Sequence, residues 1–142
     1  MARQSAEWPA AFATAAELTR REYAVAFFLG NQPRHDALVL GTASGNQFAI
    51  QVKGFAQGPP KRKGKGTAII PGKLAGGDPG DFFVLVYVPS PPKPFEFFIA
   101  TRQELQGIKN PDGPPVGTFT SDYFYYPQIA PFRDAWAKLP RS

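Results

Sequence analysis

The stretch that decides the fold runs from residue 36 to residue 53 and reads DALVLGTASGNQFAIQVK. It consists of two apolar arms separated by residues 41–46, whose glycine, serine and asparagine content is typical of a turn. The second arm alternates, with Phe48, Ile50 and Val52 on one face and polar or small residues on the other. This pattern predicts a β-hairpin with strands at 36–40 and 47–53.

The register of this hairpin determines which polar side chains meet. If Gly41 pairs with Asn46 around a four-residue connection, Asp36 lies opposite Gln51. Opposed residues share a face with Cβ atoms about 5 Å apart, and Lys53, two residues further along, lies on the same face. A shift of one residue would separate them. The sequence therefore predicts that a carboxylate, an amide and an ammonium group converge at one end of the hairpin.

The rest of the chain supplies the elements of one α/β domain covering residues 1–142. The order of one helix, three strands, a long loop, two strands and short helical segments is typical of a mixed sheet flanked by helices. Glycine and proline are dense at 54–81 and 107–131, which predicts loops there, with a short strand at 67–70 as an alternative. The expected elements are a helix at 8–23, a strand at 24–29 buried on both faces, strands at 82–88 and 95–100, a capped helix at 101–106 and a helix at 132–139.

Composition excludes several classes of site. The chain has no cysteine and one histidine, so neither a disulfide framework nor a thiolate or multi-histidine metal site is expected. The longest apolar runs have the length of strands, which predicts no membrane segment, and the N-terminus lacks a signal-peptide pattern, so the expected location is cytoplasmic. A formal net charge of +5 favours an anionic partner such as nucleic acid.

Several motifs, taken in their order, resemble a known family. Asp36 stands fifteen residues before Gln51-Val52-Lys53. A helix ending ELTRREY at 17–23 precedes it, and an apolar strand and FEFFI at 95–99 follow. Over about residues 10–105 the chain resembles the PD-(D/E)XK (restriction-endonuclease-like) nuclease superfamily, in the branch where glutamine replaces the acidic residue of the last motif. The resemblance implies a restriction-endonuclease-like mixed β-sheet flanked by helices.

The resemblance also implies a site and a reaction. The expected activity is Mg²⁺-dependent (or Mn²⁺-dependent) hydrolysis of phosphodiester bonds in DNA. Asp36 would be the principal metal ligand, Gln51 a neutral ligand and the backbone carbonyl of Val52 a third, because Mg²⁺ prefers hard oxygen ligands and retains several waters. Lys53 would orient the attacking water or stabilise the charge that develops on the phosphorus centre.

One element of the family pattern is missing from the first helix. Many relatives carry a Gly-Glu pair there whose carboxylate reaches the metal, and the matching positions hold Ala10 and Ala11. Glu17 is a possible substitute, the alternative being that it pairs with Arg21 one turn away on a solvated helix. The missing acid leaves open a second interpretation, a catalytically degenerate nuclease-fold module that binds nucleic acid or a protein partner.

The long loop contains a basic cluster. Its cations are predicted to contact nucleic-acid phosphates, the alternative being a solvated linker. A homodimer is possible, because cleavage of both strands of a duplex needs two sites. The cluster consists of Lys61, Arg62, Lys63 and Lys65.

Overall fold

The protein is described from a computed structural model, which covers residues 7–28, 36–56, 68–71, 78–108, 121–124 and 126–142. Two 3₁₀ turns, Ala130–Phe132 and Trp136–Lys138, follow the last α-helix. The remaining elements are α1 (Glu7–Arg20), β1 (Tyr23–Phe27), β2 (Ala37–Gly41), β3 (Gln47–Phe55), β4 (Ala68–Pro71), β5 (Phe82–Tyr87), β6 (Glu96–Thr101), α2 (Arg102–Gln106), β7 (Ser121–Phe124) and α3 (Tyr126–Ile129).

Five strands form one mixed sheet in the order β1-β2-β3-β5-β6. The pair β3 and β5 is parallel, and the other neighbours are antiparallel. The predicted α/β fold with a mixed sheet is therefore confirmed. None of the helices in the described part of the chain is long and apolar enough to cross a membrane.

The sheet has a hydrophobic core on each face. On one face α1 and the C-terminal segment cover the inward residues of all five strands, including Val39, Ile50 and Val84. On the other face α2 and Ile129 cover the β3, β5 and β6 part, where Phe83 and Phe98 are buried. The β1 and β2 part of that second face is left exposed.

Helix α1 packs against the sheet through a narrow stripe of buried side chains. Ala10, Thr14 and Leu18, four residues apart, are fully buried. The helix was expected to continue to residue 23 but ends at Arg20, because Glu22 adopts a left-handed conformation with φ of 67°. That reversal lets Tyr23 begin the first strand of the sheet.

Strand β1 corrects a second expectation. It was predicted to be buried on both faces, but Ala24 and Ala26 are exposed. The reason is its place in the sheet: within the described ranges β1 is an edge strand that pairs with β2 alone, and its other face lies against the α1 side. A continuous apolar run does not distinguish a central strand from an edge strand with small residues on its open side.

Most strands of the second half were predicted, including the alternative of a short strand at 67–70, which β4 confirms, but β7 and α3 were not. Residues 107–131 were expected to be loop, yet β7 and α3 lie there, because β7 pairs with the distant strand β4. Residues 132–139 were expected to form one helix. Instead Asp134, with φ of 51°, separates the two 3₁₀ turns.

The C-terminal segment bonds to the edge of β6 and then packs on the α1 face of the sheet. The Asp134 N–H donates to the Phe97 carbonyl (2.9 Å), and Lys138 Nζ donates to the Ile99 carbonyl (3.1 Å). The chain itself thereby supplies hydrogen-bond donors to two backbone carbonyls of this edge strand.

The same segment ends against the turn that joins β2 to β3. The Ser142 carbonyl accepts from the backbone N–H groups of Ala43 (2.7 Å) and Ser44 (2.8 Å). The Arg141 carbonyl accepts from Ser44 Oγ (2.6 Å) and Asn46 Nδ2 (3.1 Å). The turn of the hairpin is therefore held by the end of the described chain.

The predicted cap of α2 is confirmed. Thr101 Oγ1 accepts from the Glu104 N–H (3.1 Å), and Glu104 Oε1 accepts from the Thr101 N–H (2.9 Å), which is a capping box. Lys138 Nζ lies 2.8 Å from the Glu104 carboxylate. Burial alone would raise the pKa of Glu104, but the hydrogen bonds from Lys138 and Thr101 together lower it.

We expect Glu104 to stabilise the fold at neutral but not at acidic pH. Because its pKa is lower in the folded chain, its contribution is present above the ordinary glutamate pKa and is lost as the pH falls through the folded value. Glu104→Gln should lower the free energy of unfolding at pH 7 by about 0.5–1 kcal/mol, a modest value because both partners are partly exposed. Urea denaturation at several pH values measures this, with Glu7→Gln as the control. A deficit that is independent of pH would contradict the expectation.

Candidate functional site

The predicted register of the central hairpin is confirmed from residue 37 onward. Ala37 pairs with Ile50, Leu40 pairs with Gln47, and the Gly41 N–H donates to the Asn46 carbonyl (2.8 Å). The regular ladder thus continues to the residue just before the polar positions.

Asp36 departs from the ladder at its end. Its N–H donates to the carbonyl of Ile50 (2.9 Å), the residue opposite Ala37, as at a β-bulge. Its carboxylate Oδ2 accepts from the N–H of Val52 (2.7 Å). Asp36 therefore spans Gln51 by bonding to the residues on both sides of it, and its carboxylate lies at the edge of β3 instead of in a regular pair.

The hydrogen bond from Val52 fixes the orientation of that carboxylate. It occupies Oδ2, while Oδ1 has no partner among the described residues. In a β-strand the N–H and C=O of one residue point to the same edge. The Val52 carbonyl therefore points to the edge of β3 on which Asp36 lies. A carboxylate oxygen of Asp36 and the carbonyl oxygen of Val52 are thus on the same edge of this strand.

Gln51 and Lys53 lie on the sheet face opposite α1. Their neighbours Ile50 and Val52 pack toward the α1 side, whereas Phe55, two residues beyond Lys53, belongs to the other core. The parallel register sets Gln51 beside Phe83 and Lys53 beside Leu85. Both polar side chains are half-buried, and neither bonds to another residue in the described ranges.

The β1 and β2 part of the same sheet face is exposed. We call it the open face: the side of β1 and β2 that carries Ala24, Ala26, Leu38 and Leu40. Leu38 is 40% exposed and Leu40 is 37% exposed. Gln51 and Lys53 are half-buried and lie on the same side of the sheet, on the neighbouring strand β3.

Glu17 is not brought to this place, which corrects its expected role as a helix acid. Glu17 Oε1 lies 3.0 Å from Arg20 Nη1, and its other oxygen pairs with Arg21, whose guanidinium stacks on Trp136 (4.6 Å). Helix α1 packs on the opposite face of the sheet. The alternative, an ion pair between Glu17 and Arg21 one turn apart, is confirmed.

The remaining predicted site residues are those of the basic cluster in the long loop. Lys61, Arg62, Lys63 and Lys65 lie outside the described residues, so their contact with nucleic acid stays a prediction. Within the described ranges, no group of three or more His, Cys, Asp or Glu side chains could hold a metal ion. The further ligands that the described residues offer a metal near Asp36 are neutral oxygens.

The donors beside Asp36 are of the kind that suits a hard divalent cation. They comprise a carboxylate oxygen without a partner in the described chain, the carbonyl of Val52 directed to the same edge, and the amide of Gln51 on the adjoining face. Mg²⁺ is bound in many proteins by one or two carboxylates and several waters. The residues present therefore fit Mg²⁺ or Mn²⁺, with water completing the coordination.

A buried arginine near the site was not singled out from the sequence. Arg102, the first residue of α2, is 3% exposed and lies over the ring of Phe83 (5.0 Å). Its N–H donates to the Asp81 carbonyl (2.8 Å), and its Nη2 lies 3.3 Å from the Asp81 carboxylate. This pair fixes the start of β5, which lies beside Gln51, and no local pattern in the sequence indicates it.

The fold has a counterpart among solved structures. The chain is similar to a homing endonuclease. The match is to the structure described as the bacterial homing endonuclease I-Ssp6803I, with a TM-score of 0.62 over 96% of this chain and 89% of that one. At 15% sequence identity the similarity is one of fold.

The sequence comparisons add no family. No family model matches the chain, and no curated protein matches it. Membership of the PD-(D/E)XK superfamily therefore stays a prediction from the motifs, beside the demonstrated likeness in fold.

Proposed function

We propose that this protein is a Mg²⁺- or Mn²⁺-dependent endonuclease that hydrolyses phosphodiester bonds in DNA. The observation that carries the proposal is the arrangement at β3, where the oriented Asp36 carboxylate adjoins Gln51 and Lys53. Its occurrence on a fold similar to that of a homing endonuclease supports the same activity class. The net charge of +5 favours a polyanionic substrate.

In this proposal different residues of the chain bind the cation, orient its carboxylate ligand and stabilise the charge on the phosphate. Asp36 Oδ1, Gln51 Oε1 and the Val52 carbonyl would hold the cation, and the N–H of Val52 keeps the Asp36 carboxylate in one orientation. When bound, a divalent cation polarises a phosphate oxygen and lowers the pKa of the attacking water. Lys53 supplies a positive charge on the same side as Gln51, where negative charge develops on the phosphate oxygens.

DNA contact would extend beyond these residues. The basic cluster at 61–65 is proposed to bind backbone phosphates, which positions the duplex without reading its sequence. The open face, on the same side of the sheet as Gln51, is proposed as the surface that the duplex approaches.

A second candidate function is supported by one observation. The described chain offers a single carboxylate at the site, and Glu17 is engaged in ion pairs elsewhere. A domain of this fold with too weak a metal site would bind nucleic acid or a protein without cutting. The two functions differ in whether divalent cations permit cleavage.

Asp36→Asn is the variant that tests the endonuclease proposal. The asparagine oxygen can still accept from Val52, so the substitution removes the charge and leaves the hydrogen bond. We expect cleavage of supercoiled DNA in Mg²⁺ or Mn²⁺ to fall by at least about 100-fold. The control is Asp134→Asn, since Asp134 is exposed and asparagine tolerates its positive φ.

The outcomes separate the two candidates. Equal cleavage by the wild type and Asp36→Asn would refute the assigned site. The substrates are supercoiled, linear and single-stranded DNA and RNA, each with Mg²⁺ and with Mn²⁺. If the wild type cleaves none of them, the endonuclease proposal is wrong. Retention of DNA that weakens steeply with salt would then support a nucleic-acid-binding module.

A further inference from the structure

The two edges of the five-stranded sheet differ in whether another described segment covers them. The β6 edge is covered by the C-terminal segment through bonds to the carbonyls of Phe97 and Ile99. The β1 edge has no strand beyond it in the described chain. Proteins protect open edges with charged residues, proline or bulges, and β1 has none of these: it reads Tyr-Ala-Val-Ala-Phe.

The hydrogen bonds of β1 identify which of its groups point outward. The Phe28 N–H donates to the Asp36 carbonyl (3.0 Å), and the Glu22 carbonyl accepts from the Thr42 N–H (3.2 Å). Even-numbered residues of this strand therefore bond to β2. By alternation, the N–H and C=O groups of Tyr23, Val25 and Phe27 point away from the sheet.

We propose that β1 pairs antiparallel with β1 of a second copy of this chain, about a twofold axis at Val25. Each of the three outward residues offers one donor and one acceptor, so the pair forms about six main-chain hydrogen bonds. The two five-stranded sheets join into one continuous sheet.

The side chains of β1 are self-complementary in this register. Tyr23 of each copy lies opposite Phe27 of the other, which gives two equivalent aromatic pairs on the α1 side of the sheet. Aromatic cross-strand pairs stabilise a sheet. On the open face Ala24 lies opposite Ala26, and these small side chains do not obstruct the approach. Although the chain carries a charge of +5, no charge lies within the edge itself to repel a second copy.

The same register suits the proposed endonuclease, and this step rests on that function. The twofold axis is perpendicular to the joined sheet, so both open faces point to the same side. The two β3 strands are five strand spacings apart, or about 24 Å. Two sites on one side of one sheet can face the two strands of the same duplex.

Cysteine cross-linking tests the interface and its register. The chain has no cysteine, so introduced thiols are the only ones present. Ala24→Cys mixed with Ala26→Cys should form an intermolecular disulfide, because these positions are directly opposed and exposed. Leu38→Cys mixed with Ala26→Cys is the control, since Leu38 lies on the same face one strand further in. Equal cross-linking in both mixtures would overturn the proposed pairing.

Sedimentation gives the second measurement. We expect twice the chain mass for the wild type and a shift to the single-chain mass for Val25→Pro, which removes an outward N–H and no bond to β2. The double substitution of Ala24 and Ala26 by lysine should have the same effect through repulsion, should Val25→Pro not fold. A wild type that is monomeric throughout would refute the dimer and leave the cleavage test of Asp36 unaffected. A dimer that both variants leave intact would also refute this interface.

Discussion

Replacement of Lys53 by methionine is expected to lower DNA cleavage by about 100- to 1,000-fold while the fold and the affinity for divalent cations are retained. Methionine keeps an unbranched side chain of similar length, so the change is confined to the ammonium group. Its charge is the one that the proposed mechanism places beside the reacting phosphate.

The surroundings of Lys53 explain why stability should be preserved. The side chain is half-buried beside Leu85 and makes no ion pair within the described chain. No carboxylate there loses its partner when the charge is removed, so the penalty of an orphaned buried charge does not arise. A loss of activity in this variant would therefore not be a consequence of unfolding.

The measurement compares single-turnover cleavage with cation binding in the same variants. Mn²⁺ binding, followed by its paramagnetic signal, should be close to that of the wild type in Lys53→Met and much weaker in Asp36→Asn. Lys93→Met, in the exposed loop before β6, controls for the loss of one positive charge. Cleavage by Lys53→Met at the wild-type rate would remove Lys53 from the mechanism.

The parts of this structure that sequence could predict are those with a local cause. The alternation at 47–53 and the turn at 41–46 determine the hairpin and its register, which holds as far as the pairing of Ala37 with Ile50. The cap of α2 likewise follows from a threonine three residues before a glutamate. In each case the residues that decide the structure are close together in the chain.

The parts that could not be predicted depend on distant partners. The pairing of β4 with β7 joins segments about fifty residues apart, and no periodicity in either segment announces it. The departure of Asp36 from the ladder has a local cause that the pattern of apolar residues does not reveal, because the N–H of Val52 competes with regular pairing for its side chain. Glu17 was considered as a substitute for the helix acid that the sequence lacks, but its ion pairs with Arg20 and Arg21 hold it on the other side of the sheet.

Gly41→Ala is expected to destabilise the fold by about 2–4 kcal/mol, the largest effect on stability that we predict. A Cβ at Gly41 would lie 2.6 Å from the Arg141 carbonyl oxygen and 2.7 Å from that of Ser142. Both are backbone atoms held by bonds to Ser44 and Asn46, so they cannot simply rotate away. The last residue of β2 must therefore be glycine for the C-terminal segment to reach the turn.

Truncation after Leu139 distinguishes this clash from a general intolerance of β2. In the truncated chain the two carbonyls are gone. Ser44 Oγ, which also lies 2.7 Å from the added Cβ, loses its bond to Arg141 and can rotate away. Gly41→Ala should then cost less than about 1 kcal/mol relative to its own parent. Gly45→Ala is the matched control: Gly45 has φ of 78° with no atom within 4 Å of the added Cβ. Its cost of about 1 kcal/mol comes from backbone conformation and should be the same in both chains. Urea denaturation of the four variants and their two parents completes the cycle. If the cost of Gly41→Ala is unchanged by truncation, the close approach of the C-terminal carbonyls is not what requires glycine at this position.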